Sequence, residues 1–392
     1  MSNNKTIKII GTYTSKFGEL WDKSIYDLLN ESVFGAIANI KNSASNISEY
    51  EGFNPQEIEA VFVANMASGI FENQLHLGAA VSQMFKHFPP SIRVEGACAS
   101  GSLAAVEAEN ALLSGKYKTV MVVGVEKMND LNSDEITKIL SSASDFEFEY
   151  GSTFPALYAL LANAHINKYG TTREQLSAVS VKNHKHALNN KNAQFRKAFT
   201  IEQVNLSSMV ASPLRLLDCS PVSDGSSAIV LTTKDLPEYA NKPKIVSYGH
   251  AQDSLNLANR KSLTSLHATV KASKEAYKNA NISAKNIKFA EVHDCFTIAE
   301  ILAIEDLGFF EKGTGGMATI NEQTTYGGKV VINPSGGLKA CGHPVGATGV
   351  KQLAFMANLL EKLPIAVEEK TYGLTHNVGG SGATAVVHIL EK

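Results

Sequence analysis

The chain of 392 residues has four cysteines, one tryptophan and little charge imbalance. Cys98, Cys219, Cys295 and Cys341 form no Cys-x-x-Cys pair, which argues against a structural zinc site or a disulfide framework. Few, scattered cysteines suit a reducing compartment. No run of about 18 apolar residues occurs, so no transmembrane helix is expected. The 36 Lys+Arg and 38 Asp+Glu leave a net charge of −2. Such a balance provides no field for nucleic acid or an anionic membrane, so neither is expected as a partner. Any anionic ligand must be held by a local site. The start, MSNNKTIKIIGTY, has too short an apolar run for a signal peptide and reads as a strand. The end, VVHILEK, also reads as a strand and carries no peroxisomal tripeptide. The expected location is the cytoplasm.

What is present is ample apolar material, 44% of residues, in a length that suits two or three domains. Two halves share one grammar. In the first, the strand 58–65 is followed by Glu-Gly-Ala-Cys-Ala-Ser-Gly (95–101), an apolar helix from Gly101 to Leu113 stopped by Gly115, and the buried-type strand 118–126. A turn and strand follow at 224–233. In the second, the strand 287–294 is followed by Cys-Gly-His-Pro-Val-Gly-Ala-Thr-Gly (341–349). A helix then carries Val350, Leu353, Ala354 and Ala357 on one face, and strands follow at 371–380 and 381–390. The offset between halves is 245 at Cys98 and His343 but 157 at Ala228 and Ala385, so the first half carries an insertion of about 88 residues. The expected organisation is an α/β fold with an N-terminal half (1–128 and 217–255), a polar inserted loop domain (129–216) and a C-terminal half (256–392).

Cys98 stands where a strand gives way to a helix. The helix N-terminus favours a thiolate there, and the small neighbours Gly96, Ala97, Ala99, Ser100 and Gly101 leave room for a substrate. A structural cysteine needs no such clearance. His343 occupies the equivalent point of the second half. If the halves pack about a pseudo-twofold axis, it faces Cys98 and can take the thiol proton; otherwise it only caps its helix. His293 and Cys295 end a strand, where α/β sites gather, and a second thiol there can move a proton on and off carbon. Gly379 and Gly380, in His-Asn-Val-Gly-Gly-Ser-Gly (376–382), form a turn able to offer backbone N–H groups to an oxyanion.

Taken together these segments resemble the thiolase family over essentially the whole chain. Cys-Ala-Ser-Gly resembles the family's nucleophile loop, and Gly-His-Pro-x-Gly-Ala-Thr-Gly is its most specific motif. The segments 218–228 and 181–195 resemble its return strand and inserted domain. His293-Asp294-Cys295-Phe296 stands where most thiolases have Asn-Glu-Ala-Phe, and Asn377 stands where they have a cysteine. That pattern is similar to the sterol-carrier-protein-type thiolases and their archaeal and bacterial relatives.

The resemblance implies two similar βαβαβαββ halves in five layers, αβαβα. It implies transfer of an acyl group between coenzyme A thioesters, with no metal or redox cofactor. Acyl-CoA substrates would be condensed to, or released from, a 3-ketoacyl-CoA through a thioester on Cys98. His343 would activate Cys98, and Cys295 would work on the C2 proton. His293 and His343 would serve the enolate oxygen, and the N–H groups of Cys98 and Gly379 the tetrahedral intermediate. The CoA phosphates would meet Lys182, Lys185, Lys191, Arg196 and Lys197, which equally read as a solvated basic face. A homodimer or homotetramer is expected. The archaeal relatives' complex with 3-hydroxy-3-methylglutaryl-CoA synthase and a small OB-fold acyl-CoA-binding protein stays open. So do two rival readings, a 3-ketoacyl synthase and a non-catalytic acyl-CoA-binding or scaffold protein. Cys295 speaks against the first, and the joint retention of Cys98, His293, Cys295 and His343 against the second.

Overall fold

The computed structural model describes residues 5–40, 53–364 and 370–392. Among them, twelve strands run β1 Ile7–Thr14, β2 Val61–Ala64, β3 Ser91–Val94, β4 Thr119–Glu126, β5 Met209–Ala211, β6 Leu214–Arg215, β7 Gly225–Thr232, β8 Lys244–Gln252, β9 Ile287–Glu291, β10 Val331–Ile332, β11 Tyr372–Gly379 and β12 Thr384–Glu391. Ten of them form one sheet, in the order β10-β9-β11-β12-β8-β1-β7-β4-β2-β3. The sheet is two copies of one plan. In each, two parallel neighbours (β2 and β3 on β4, β9 and β10 with β11) continue into antiparallel partners (β7 and β1, β12 and β8). The copies meet edge to edge where Ile7 pairs with Ile245 and Lys8 with Lys244. This join was not legible in the sequence.

Helices make the other layers. Ser100–Leu113 and Val345–Lys362 lie between the half-sheets and share one core with Val122 and Leu231 from one half and Ile245 and Leu390 from the other. Ile25–Ala38 covers the outer face of the first half through Leu28 and Val33, which meet Val123 and Val230. His267–Ala280 and Thr297–Asp306 cover the second half through Ala272 and Ile304, which meet Leu374 and Val387. The five-layer arrangement is therefore present.

The two central helices can sit so close because they cross at glycines. A Cβ on Gly101 would stand 2.7 Å from the Gly349 backbone nitrogen and 2.8 Å from its Cα, with backbone on both sides and nothing able to yield. This crossing brings the two helix starts, and so Cys98 and His343, to the same place.

Between β4 and β7 the chain leaves for the insertion. Its exit and return are tied by the buried Asp224 carboxylate, which accepts from the N–H groups of Met128 (2.7 Å), Asn129 (2.9 Å) and Leu20 (3.0 Å) and from the Lys127 ammonium (3.0 Å). The insertion is less polar inside than its composition suggests. Helices Phe154–Tyr169 and Arg173–Ala187 bury Leu157, Leu161, Leu176 and Val179 against Ile298, Ile301 and Leu302 of the second half. Its lysines and asparagines mostly face outward, so periodicity rather than polar content was the informative signal.

Gly101→Ala should destabilise the fold by about 1–3 kcal/mol, the usual cost of overpacking a rigid contact. The urea midpoint should fall with an unchanged slope; a midpoint equal to the parent's would show that the helices can part at no cost.

Candidate active site

Cys98 is set on a strained turn. Ala97 has φ +51°, the left-handed region that a residue with a Cβ enters only when its surroundings insist. The insistence is visible: the Ala97 N–H donates to Glu95 Oε1 (2.6 Å), the Gly96 N–H donates to Ser100 Oγ (2.9 Å), and the Ser100 hydroxyl donates to the Ala97 carbonyl (2.6 Å). The turn opens directly into the helix Ser100–Leu113, as the sequence indicated. Burial nevertheless outweighs the helix start, and the Cys98 thiol is pushed up to about 12. Two N–H groups face its sulfur and pull the other way, that of Gly380 and its own.

The donor of this turn beside the resting thiol is the Gly380 N–H, the neighbour of the Gly379 expected to serve the tetrahedral intermediate. Gly379 is the last residue of β11, packed against the Gly96 carbonyl and Ala99, whereas Gly380 turns at φ +62° and lines the cavity. That left-handed turn is what aims its N–H inward.

The histidines are neutral and differently protonated. Burial pushes His343 down to about 3 and His293 well below the usual imidazole range. His343 Nδ1 lies 2.7 Å from Thr348 Oγ1, and that hydroxyl donates its only proton to the Pro344 carbonyl at 2.9 Å. Thr348 must therefore accept from Nδ1–H, which leaves Nε2 of His343 as a bare base. His293 is the reverse. The Asn377 amide is oriented by its neighbours: Nδ2 donates to the Cys98 carbonyl (2.9 Å), while Oδ1 accepts from the Ser102 N–H (3.3 Å). The remaining Nδ2 proton points at His293 Nδ1, 3.2 Å away. Nδ1 thus accepts, and Nε2 carries the proton. Both Nε2 atoms are buried and lack a protein partner among the described residues. The two rings stand edge to face, 5.1 Å apart.

A ligand atom from each of Cys98, His293 and His343 falls within 4.8 Å of the others. A metal ion would need bare nitrogens from both rings, and Asn377 opposes that at His293. The set is better arranged for moving protons and holding an oxyanion.

These residues open into a cavity of about 320 Å³ that Cys295 also lines. The insertion supplies Phe154, Pro155 and Tyr158 to its wall, and the return segment supplies Cys219 and Val222. Cys295 is held by its backbone, whose carbonyl accepts from Ser220 N–H at 2.9 Å. Burial pushes its thiol well up, and Tyr158 lines the cavity with it. Cys98, His293, Cys295 and His343 are thus brought together.

The proposed phosphate cations are not. Lys182 is buried, with its ammonium 2.5 Å from Glu300 Oε1 and 3.2 Å from the Ile332 carbonyl, so it cannot greet a phosphate; that expectation is corrected. It stands on the inner face of its helix, a placement the local basic composition masked. Lys185 and Arg196 are exposed but outside the cavity wall, and Arg196 donates to the Leu188 carbonyl. Sequence reasoning also missed Tyr158 and the roles of Thr348 and Asn377. Thr348 lies inside the glycine-rich motif, which was the available signal; for Tyr158 there was none.

With this geometry in place the comparisons are unambiguous. Residues 7–235 match the family profile described as the thiolase N-terminal domain, and residues 249–392 the thiolase C-terminal domain-like profile. The acetyl-CoA acetyltransferases of Methanothermobacter thermautotrophicus and Methanocaldococcus jannaschii are 45% and 43% identical, covering 99% of this chain and 100% and 99% of theirs. Bovine sterol carrier protein 2 is 33% identical over 76% of this chain and 58% of its own length. The structure titled Ltp2-ChsH2(DUF35) aldolase superposes with a TM-score of 0.78 at 20% identity, covering 99% of this chain and 98% of that one. The chain belongs to the thiolase family. It is an enzyme, an acyltransferase of the thiolase type that acts on acyl-CoA.

Five buried imidazoles, His293 among them, make acid costly. His343, His376 and His184 are pushed down to about 3 and His186 to about 4, each mainly by burial. In the unfolded chain they protonate near 6.5. Below that pH the unfolded state binds more protons than the folded one. Their contribution is therefore full above about pH 6.5 and lost as pH falls toward 3–4, at roughly 1.4 kcal/mol per group and pH unit. Urea unfolding between pH 6.5 and 4.5 should show net proton uptake, smaller than the histidines alone would give because the buried Glu126 and Asp294 carboxyls, pushed up to about 7, release protons on unfolding; net proton release would contradict neutral buried rings.

Proposed function

We propose that the enzyme condenses two acetyl-CoA molecules to acetoacetyl-CoA, and in reverse cleaves a 3-ketoacyl-CoA with CoA, through a thioester on Cys98. One observation carries this reading. The two imidazoles beside the nucleophile have complementary tautomers, a base in His343 and a donor in His293, and a second thiol lies in the same cavity. The naming of the two archaeal relatives as acetyl-CoA acetyltransferases supports the substrate.

At rest, thiol and imidazole are both neutral. His343 Nε2 takes the Cys98 proton as the sulfur attacks the acetyl carbonyl, so charge develops only with substrate in place. The N–H groups of Cys98 and Gly380 receive the carbonyl oxygen of the tetrahedral intermediate. CoA departs as a thiolate, and Cys295 protonates it. The resulting Cys295 thiolate then removes a C2 proton from the second acetyl-CoA, whose enolate oxygen is held by His293 Nε2–H. The enolate carbon attacks the Cys98 thioester. Cys98 leaves and recovers its proton from His343, which closes the cycle for both thiols.

The same reading takes residues 129–216 as the inserted domain roofing the site, within the boundaries given above. Lys185 and Arg196 stay candidates for the CoA phosphates, which need only reach the protein surface. The edge strand β3, with Ile92 and Phe88 more than half exposed nearby, suits pairing with a second copy in a homodimer. The twin component names of the Ltp2-ChsH2(DUF35) neighbour support a partner complex, for which the synthase and OB-fold protein are the candidates. No described helix is long and apolar enough to cross a membrane, and the cytoplasm is the proposed location.

Acetyl-CoA followed by acid quench should leave one acetyl group on Cys98. Cys295→Ala should keep that label, because solvent can protonate a departing thiolate. It should lose condensation and the exchange of acetyl-CoA C2 protons with deuterated solvent by about 10²–10⁴-fold. Label on Cys219 or Cys341, or full exchange in Cys295→Ala, defeats the assignment.

A further inference from the structure

The insertion contributes a hydroxyl that the scheme above does not use. Tyr158 lies in the first turns of the helix Phe154–Tyr169, whose start is fixed by Thr153 Oγ1 accepting from the Ala156 N–H. Its side chain is 1% exposed, yet it lines the cavity together with Cys98 and Cys295. The ring rests on Phe296, the residue after Cys295, with centroids 4.7 Å apart. Its hydroxyl donates to the Gly380 carbonyl at 3.2 Å, and the Cys295 thiol lines the same cavity wall beside it. A buried tyrosine in a purely apolar role would be replaced by phenylalanine at no loss. Here the hydroxyl has two addresses, one on the turn that serves the oxyanion and one on the second thiol.

We propose that Tyr158 is a positioning residue for the acid/base thiol: it holds Cys295 toward C2 of the substrate and donates its hydrogen bond to the sulfur once that sulfur is a thiolate. The inference rests on Cys295 being the proton carrier. While Cys295 is protonated, its S–H points at the Tyr158 oxygen and the Tyr158 proton at Gly380. When Cys295 gives its proton to departing CoA, the sulfur becomes the strongest acceptor beside the hydroxyl, and the O–H turns to it. No atom leaves Tyr158, which stays a phenol throughout. When the C2 proton reaches the sulfur, the hydroxyl returns to Gly380. The other ionisable groups around this pair are Cys98 on the nucleophile turn, Asp294 next to Cys295, and Arg260 from the second half. Asp294 and Cys98 oppose the thiolate and the Phe296 N–H favours it, while Arg260 acts on the Tyr158 hydroxyl, so an added donor matters.

The test is Tyr158→Phe, which keeps the ring and the cavity shape. KM for acetyl-CoA should stay within about twofold, and acetylation of Cys98, which uses the Gly380 turn, should fall by clearly less than exchange does. Exchange of C2 protons and condensation should fall about ten- to a hundredfold, the range for a hydrogen bond to a charged group. The rise of the exchange rate with pH, which tracks the Cys295 thiolate, should move up by about one to two units, the same free energy read as a pKa. In the double variant Tyr158→Phe/Cys295→Ala, exchange should be no slower than in Cys295→Ala alone. Additive losses, an unmoved pH profile, or equal slowing of acetylation would each overturn the proposal. If Cys295→Ala itself exchanges normally, the fault lies with the proton carrier and not with Tyr158. Should Tyr158→Phe fail to fold, Tyr158→His supplies the second arm: a smaller loss of exchange than of fluorescence-detected stability would likewise overturn it.

Discussion

One buried carboxylate holds the site in register. Asp294 stands between His293 and Cys295, and it cannot move without moving both. Its oxygens accept from the Leu338 N–H (2.6 Å), the Lys339 N–H (3.2 Å) and the Asn183 amide (2.7 Å). The first two open the short helix Gly337–Cys341 that leads into His343, and the third belongs to the insertion. Three separate parts of the chain therefore converge on one side chain. Gly337 has to be a glycine for this, since a Cβ there would lie 2.1 Å from the carboxylate. The surrounding shell is polar and paired: Glu300 receives Lys182, Asn183 and Asn333, and Glu291 receives Lys351 and Ser335. Leaving any one of these charges alone in such a place is far costlier than the pair itself is worth.

The duplication explains why two different chemistries can share one cavity. Each half ends a strand and starts a central helix at the same point in space, one with a thiol and the other with an imidazole. The halves then diverge where symmetry would be useless. The first gives up its own strand-end loop to an insertion, which closes the roof. The second places His-Asp-Cys at the end of β9, and Asn377 on β11 reaches across to the nucleophile's own carbonyl. Asn377 thereby does more than fill the position of a missing cysteine. It fixes the nucleophile turn and sets which nitrogen of His293 carries the proton.

How much of this was legible follows from what each residue needs. Cys98 and His343 were readable because close approach of a substrate demands small neighbours, and small neighbours are visible in a sequence. The duplicated α/β plan was readable because the apolar periods repeat at matching points of the two halves, whereas the five layers came only with the family resemblance. The pairing of β1 with β8 was not, since two residue pairs leave no pattern. Gly380 could not be told from Gly379, because adjacent glycines differ only in which way their N–H groups turn. Lys182 was misplaced because a buried, paired lysine and a solvated one look alike in a basic stretch. Tyr158 gave no sign, being one aromatic residue in an apolar helix.

The walls of the cavity have a consequence for timing. Phe154, Pro155, Val222 and Val345 surround the sulfur with hydrocarbon, which leaves the Nε2 atoms of His293 and His343 as the free polar groups beside it among the described residues. In the proposed scheme an acyl group on Cys98 is thermodynamically ready for water as well as for a carbon nucleophile. Water entering such walls finds only those two ring nitrogens, while the next thioester brings its own apolar arm. The intermediate is protected by the reluctance of solvent to visit, and its lifetime is what lets a single pocket receive two esters one after the other.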